Sequence, residues 1–384
     1  MNYASNMVIY RKEEEILAPY AIHTANSKGR TYPEPEHDFR PCFQRDKDRI
    51  IHTSAFRRLE YKTQVFVNDE GDYYRTRMTH TLEVAQIGRT LARALGANED
   101  LTEAICLAHD IGHPPFGHSG EASLAKMMVD SGSFNHNLQT MRIITRLEKR
   151  YSGFAGLNLT YETLEGIAKH ETEYEDPARK PETTDLRGSF EAQIANAADE
   201  IAYSAHDLDD GLRSGLIKAS QCEDLMVWKT IADALNWVGP RFSDLTRHQF
   251  IRSLINMIVT DLYHATQEKV KDSGVRTVED VQRLPYNLVS NSAPWLLQLR
   301  ELKDFLFNNL YRHYHVIRMS YKADLIITRL FEAYRQEPAL LPPHILENIA
   351  SEGRDVAICD YIAGMTDRFA IDQYQKLFEP EFLP

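Results

Sequence analysis

The chain has 384 residues, 43% of them hydrophobic, and its 56 acidic and 44 basic side chains leave a net charge of -12. That length supports a large core, while the acidic balance, with a pI near 5.7, excludes a general nucleic-acid-binding footprint and leaves room for a small substrate held locally. Four cysteines without pair spacing exclude a disulfide scaffold and fit reduced thiols, and no stretch reaches the ~18–20 apolar residues that span a bilayer.

The N-terminus carries Arg11, Lys12 and Glu13 to Glu15 before any apolar run and so lacks a signal-peptide pattern; the reading is a soluble, cytoplasmic protein with no membrane partner. Residues 29–48 are polar and broken by Pro33, Pro35 and Pro41, which predicts irregular structure. Val65, Val67, Tyr73 and Tyr74 suit a short hairpin around residues 68–71. After His80, the spacing of Val84, Ile87, Leu91 and Leu95 predicts an amphipathic helix. A second helix starts at Asn98, a good N-cap, with Glu99 and Asp100 in its first turn, and runs to His109 before Gly112, Pro114 and Pro115 stop it.

Leu138, Met141, Ile144 and Leu147 mark a further helix. Residues 171–187, rich in Glu, Asp, Pro, Lys and Thr, read as a surface loop or a lid. The longest predicted helix spans about 189–212, with Phe190, Ile194, Ala197, Ile201, Ala205, Leu208 and Leu212 as its apolar stripe. Beyond Arg252 the pattern stays helical, including 302–310 and 325–334, with a break at Pro342 and Pro343. The expected fold class is all-α.

Histidine carries the chemical signal. His80, His109, His113, His118 and His136 fall in one stretch, and neutral imidazole is a common ligand for transition metals. His109 and Asp110 adjoin at a helix end, so a nitrogen and an oxygen donor can converge on one ion; taken alone, those two residues are better read as a chance dipeptide whose imidazole satisfies the last carbonyls. The Gly and Pro residues that follow force a tight turn from which His113 and His118 emerge, with Glu121 three residues after His118. A carboxylate at that spacing can orient the imidazole and raise its pKa, as a general acid requires. On the long helix Asp199, Tyr203 and Asp207 recur at four-residue steps along one face. Such a face can line a cleft or merely meet water.

His80, His109-Asp110 and a distant Asp199 resemble the H…HD…D signature of the HD-domain superfamily of metal-dependent phosphohydrolases. More narrowly, the chain resembles the deoxyguanosine triphosphate triphosphohydrolase family, in its bacterial dGTPase-like branch. The matching segments are Gln44 to Asp46, Asp48 to Ile51, Phe56 to Leu59, Lys62 to Phe66, Arg77 to His80, His109 to Glu121, Asp199 to Tyr203 and Asp360 to Arg368. This resemblance implies one large helical domain over 1–384, with an HD catalytic core at 75–215 and additional C-terminal helices.

By position it implies that His80, His109, Asp110 and Asp199 hold a divalent metal ion (Mn, Mg, Fe or Ni). His118, paired with Glu121, matches the catalytic histidine, and His113 and His136 match phosphate-side histidines. Gln64 and Asp207 match contacts to the sugar 3′-hydroxyl, Tyr203 a residue packed against the 2′ position, and Arg77 a phosphate-binding arginine. The implied activity is metal-dependent hydrolysis of deoxynucleoside triphosphates, dGTP among them, to deoxynucleoside and tripolyphosphate. The implied partners are the dNTP substrate, a dNTP effector, and further copies of the chain in a hexamer or tetramer. Two other readings use the same residues: an HD phosphodiesterase or nucleotidase acting on another nucleotide, and a non-catalytic sensor of dNTP or single-stranded DNA.

Overall fold

Polar residues fix where the helices of this chain begin. Asn98 accepts the Leu101 N–H at 3.1 Å, Asn135 that of Leu138 at 2.7 Å, and Ser189 that of Ala192 at 3.2 Å, each satisfying a donor that the first turn leaves without a carbonyl. The computed structural model describes residues 12–64, 75–170, 186–238 and 242–382. The protein is all-α: among the described residues the only β pairing is three isolated bridges, Arg30 with Thr160, Thr63 with Thr76, and Lys149 with Gly156. The suggested hairpin at 65–74 and most of the predicted surface loop, residues 171–185, lie outside the described residues.

The backbone gathers into two compact units, each drawn from three stretches. The first comprises Met1–Ile50, His80–Ala108 and Asn158–His313. Its centre is the helix Phe190–Arg213, buried almost all round against the helices Glu99–Ala108, Tyr161–Ala168, Asp244–Ser273 and Ala293–Leu306. The apolar stripe read from the sequence is buried from Phe190 to Leu208, and Leu212 is half-buried. What periodicity left open was the opposite face, and it does not simply meet water: Asp207 is fully buried and Asp199 and Tyr203 are partly so.

Close helix approach depends on small residues. A Cβ at Gly88 would lie 2.7 Å from Cys106 Sγ, and one at Gly166 2.3 Å from the Ile105 side chain. Buried Glu191, whose pKa burial raises, accepts the N–H groups of Ile22 at 2.9 Å and Asn98 at 3.1 Å and so ties the N-terminal stretch to the start of the Glu99–Ala108 helix. The expectation of irregular structure over 29–48 needs correction, because a helix runs Cys42–Ile51. Pro41 sits just before it, where a missing N–H costs nothing, and buried Phe43 and Ile50 anchor it.

The second unit comprises Ile51–Thr79, His109–Leu157 and Tyr314–Pro384. Phe116, Leu124, Met128 and Phe134 pack with Ile327, Leu330 and Phe331 of the helix Tyr314–Gln336 and with Ile358 and Ile362 of the helix Arg354–Ala363. Arg142 binds Asp360 through Nε at 3.0 Å and Nη2 at 2.5 Å, and Glu352 through Nη2 at 3.2 Å. The predicted helix over 138–147 is His136–Arg142 followed by a π-helical turn, Ile143–Leu147. Its buried face is rotated from the expected stripe: Leu138 is exposed while His136, Gln139, Thr140, Ile143 and Ile144 are buried. All four cysteines are free thiols, and among the described residues no helix is long and apolar enough to cross a membrane.

Candidate active site

The predicted site residues fall in both units, and each set forms a local cluster. In the first unit His80, on the helix Arg77–Leu95, meets Asp199 on Phe190–Arg213: His80 Nε2 lies 3.0 Å from Asp199 Oδ1. The second Asp199 oxygen is 3.4 Å from His170 Nε2. On its other edge, His80 Nδ1 is 3.1 Å from Nδ1 of His206, and His206 Nε2 pairs with the Glu83 carboxylate. Tyr203 and Asp207 share a partner, since the Tyr311 hydroxyl donates to Asp207 and its oxygen lies 2.5 Å from Tyr203 Oη.

In the second unit Asp110 is the hub. Arg77 Nη1 donates to its Oδ2 at 3.0 Å, and His113 Nδ1 lies 2.9 Å from its Oδ1. Burial by itself pushes this carboxyl up, yet the Arg77 guanidinium and the imidazoles of His109 and His113 hold it well below the usual carboxylate range. Asp110 is therefore ionised and ready to act as an oxygen donor. His113 is driven the other way: burial and the positive charges of Arg77 and His136 hold it well below the ordinary histidine value, so it stands as a neutral imidazole despite Asp110. Among the described residues, Arg77 Nε and Nη2 and Gln64 Oε1 are buried without a hydrogen-bond partner. An unmatched buried guanidinium edge suits an anion.

The turn after Asp110 is set by glycines and by one unusual residue. Gly112 N–H donates to Thr140 Oγ1 at 2.9 Å, and a Cβ there would meet the His136 carbonyl oxygen at 2.1 Å. Phe116 adopts a left-handed φ of 64°, held by its N–H to Asp367 Oδ1 at 2.9 Å. The helix Gly117–Met127 then carries His118, 55% exposed, and Glu121. Glu121 serves two imidazoles: Oε2 is 3.4 Å from His118 Nδ1, while Oε1 accepts the His136 backbone N–H at 2.8 Å and lies 2.9 Å from His136 Nδ1. Although burial raises it, His136 and His118 hold Glu121 well below its ordinary pKa, so an anion is shared by both rings. His113 stacks on His136 with centroids 3.9 Å apart.

Several participants carry no strong signal in the sequence. His206 belongs to no motif, although it is seven residues from Asp199 and therefore on the same helical face. Tyr311 and His170 lie far from any motif and could be found only from the fold. Lys62, fully buried, donates to the carbonyls of His113 at 2.5 Å and Ala363 at 2.9 Å.

Comparison with known proteins adds a second line. A family described as HD domain matches residues 77–204, and one described as phosphohydrolase-associated domain matches 289–376. A curated relative from Geobacter sulfurreducens, named deoxyguanosinetriphosphate triphosphohydrolase-like protein, is 50% identical over 371 residues, 96% of each chain. One of the same name from Azoarcus is 51% identical over 375 residues, 96% of this chain and 98% of that one.

The chain belongs to the deoxyguanosinetriphosphate triphosphohydrolase-like family. A crystal structure of a hypothetical protein from Aquifex aeolicus, 18% identical and covering 87% of this chain and 71% of its own, aligns with a TM-score of 0.37. Membership of this HD family makes the protein a metal-dependent phosphohydrolase. Within each unit the donors suit a divalent ion: in the first His80 Nε2 and Asp199 Oδ1 stand 3.0 Å apart, and in the second Asp110, adjoining His109, is held as an anion.

Proposed function

We propose that the protein hydrolyses deoxynucleoside triphosphates to deoxynucleoside and tripolyphosphate, with His80, His109, Asp110 and Asp199 as the ligands of one divalent metal ion. The observation that carries this reading is Arg77: a buried guanidinium gives one nitrogen to the Asp110 carboxylate and keeps Nε and Nη2 for an anion, and a polyphosphate is the anion that fits a metal-dependent phosphohydrolase. When bound, the ion supplies Lewis-acid polarisation of a phosphoryl oxygen and acidifies water. The residues do the rest. Arg77 and neutral His113 hold phosphate oxygens, Gln64 offers its buried amide to the sugar, and Tyr203 and Asp207, braced by Tyr311, read the deoxyribose.

Water attacks the α-phosphorus, the bond to the 5′-oxygen breaks, and His118 delivers the proton that turns the leaving oxygen into the deoxynucleoside hydroxyl. Glu121 orients His118 and His136 from a single carboxylate. The test is product analysis of metal-loaded protein with each dNTP, singly and in mixtures. Tripolyphosphate and deoxynucleoside in equal amounts, lost in Asp110→Ala and lowered about 100-fold or more in His118→Ala, is the expected outcome. Deoxynucleoside monophosphate with pyrophosphate would refute the cleavage at the α-phosphorus, and turnover restricted to mixtures would reveal a second nucleotide acting as effector.

A further inference from the structure

His206 is buried between two side chains of one helical turn. His80 and Glu83 stand three residues apart on the helix Arg77–Leu95, and the His206 ring, reaching from Phe190–Arg213, places Nδ1 3.1 Å from His80 Nδ1 and Nε2 against the Glu83 carboxylate. The two rings meet nearly edge to face, at 83°. Two ring nitrogens that face each other share one hydrogen. When the neutral His206 ring donates Nε2–H to the Glu83 anion, its Nδ1 is an acceptor, and the hydrogen between the rings belongs to His80 Nδ1. The lone pair of His80 is then on Nε2, the atom 3.0 Å from Asp199 Oδ1. With an ion between them, a nitrogen lone pair and a carboxylate oxygen converging in this way form a ligand pair.

We propose that Glu83 and His206 form a positioning relay, Glu83 to His206 to His80, which fixes the tautomer and ring orientation that make His80 Nε2 a metal donor. The inference rests on reading His80 and Asp199 as ligands. It assigns to His206 and Glu83 a role in which neither touches metal or substrate; each acts through its neighbour. A carboxylate or other acceptor behind a ligating imidazole raises its basicity and holds the ring in place, and loss of such a partner typically weakens metal affinity by about 10–100-fold.

The experiment is calorimetric titration of the metal-stripped full-length protein with Mn2+, with thermal melting of each metal-free variant as a fold control. His206→Leu removes the acceptor and is expected to raise the Mn2+ Kd by about 10–100-fold, whereas His206→Asn, whose Oδ1 takes the place of Nδ1, is expected to restore it to within about threefold of the parent. Glu83→Ala, at a half-exposed position, is expected to weaken binding less than His206→Leu while leaving the metal-free melting temperature unchanged. Leu and Asn variants with the same Kd, or a Leu variant that binds as the parent does, would overturn the relay while loss of binding in His80→Ala leaves the ligand assignment standing. Undiminished binding in His80→Ala would remove the ligand assignment and the relay together.

Discussion

At the scale of single residues, the cluster around Asp110 depends on opposite charges being matched in a buried place. Arg77 and Asp110 are almost wholly inaccessible, and removing either takes the opposite full charge from the other's buried surroundings. Arg77→Lys keeps the charge but loses the fork that gives one nitrogen to Asp110 and, in the proposed function, the other two to the substrate's phosphates. The expected result is a KM for dNTP raised about tenfold or more with a smaller change in kcat, read by steady-state kinetics. Gly112 is constrained by space rather than by φ: its missing Cβ would collide with the His136 carbonyl and the Thr140 N–H. Gly112→Ala is expected to cost about 1–3 kcal/mol of stability, measured by denaturant unfolding, and to displace the turn that carries His113. Most of these residues were legible beforehand, because His109 to Glu121 form one dense motif. His206 was not, since an isolated histidine on a helix is usually structural and only the depth of the fold shows that it stands behind His80.

At the scale of elements, the turn after Asp110 is held by a strap from the chain's later residues. Asp367 at the start of the helix Asp367–Phe378 accepts the N–H groups of Thr63 and Phe116, both at 2.9 Å, and Lys62 bridges the carbonyls of His113 and Ala363. Burial, with the Arg58 charge adding to it and Asp367 opposing, brings the Lys62 pKa down to about 7. A neutral amine has two hydrogens for these two carbonyls. Between about pH 7 and 10.5 the unfolded chain therefore binds a proton that the folded chain does not, so this residue makes stability rise with pH across that window, by up to about 1.4 kcal/mol per pH unit. Lys62→Met is expected to flatten that rise in denaturant melts recorded from pH 7 to 10. Helix positions followed well from the Asn98 cap and from apolar spacing, as the helix Phe190–Arg213 shows, whereas the cap at Asn135 emerged only from the fold. Two readings failed for physical reasons: the prolines before residue 42 hid a helix that starts directly after Pro41, and the 138–147 stripe was rotated because polar His136, Gln139 and Thr140 occupy its buried face, where an apolar count does not see them.

At the scale of the whole molecule, each unit is collected from separated stretches, and the second closes its core only with its last one. Phe116, Leu124 and Phe134 find Ile327, Leu330 and Phe331 across some two hundred residues of chain. Nothing in local periodicity shows that connection; composition said only that a large core was affordable. Phe331→Ala, at a fully buried position, is expected to cost about 3–5 kcal/mol in an equilibrium unfolding experiment. The interleaved order also governs birth on the ribosome. When the helix Gly117–Met127 emerges, its apolar partners are still roughly 200 codons away, on the order of ten to forty seconds at usual translation rates of about 5–20 residues per second. For that interval the hydrophobic face of Gly117–Met127 is a nascent surface without its cover, which makes this unit a client for holding chaperones and makes a stalled or prematurely terminated chain prone to aggregate.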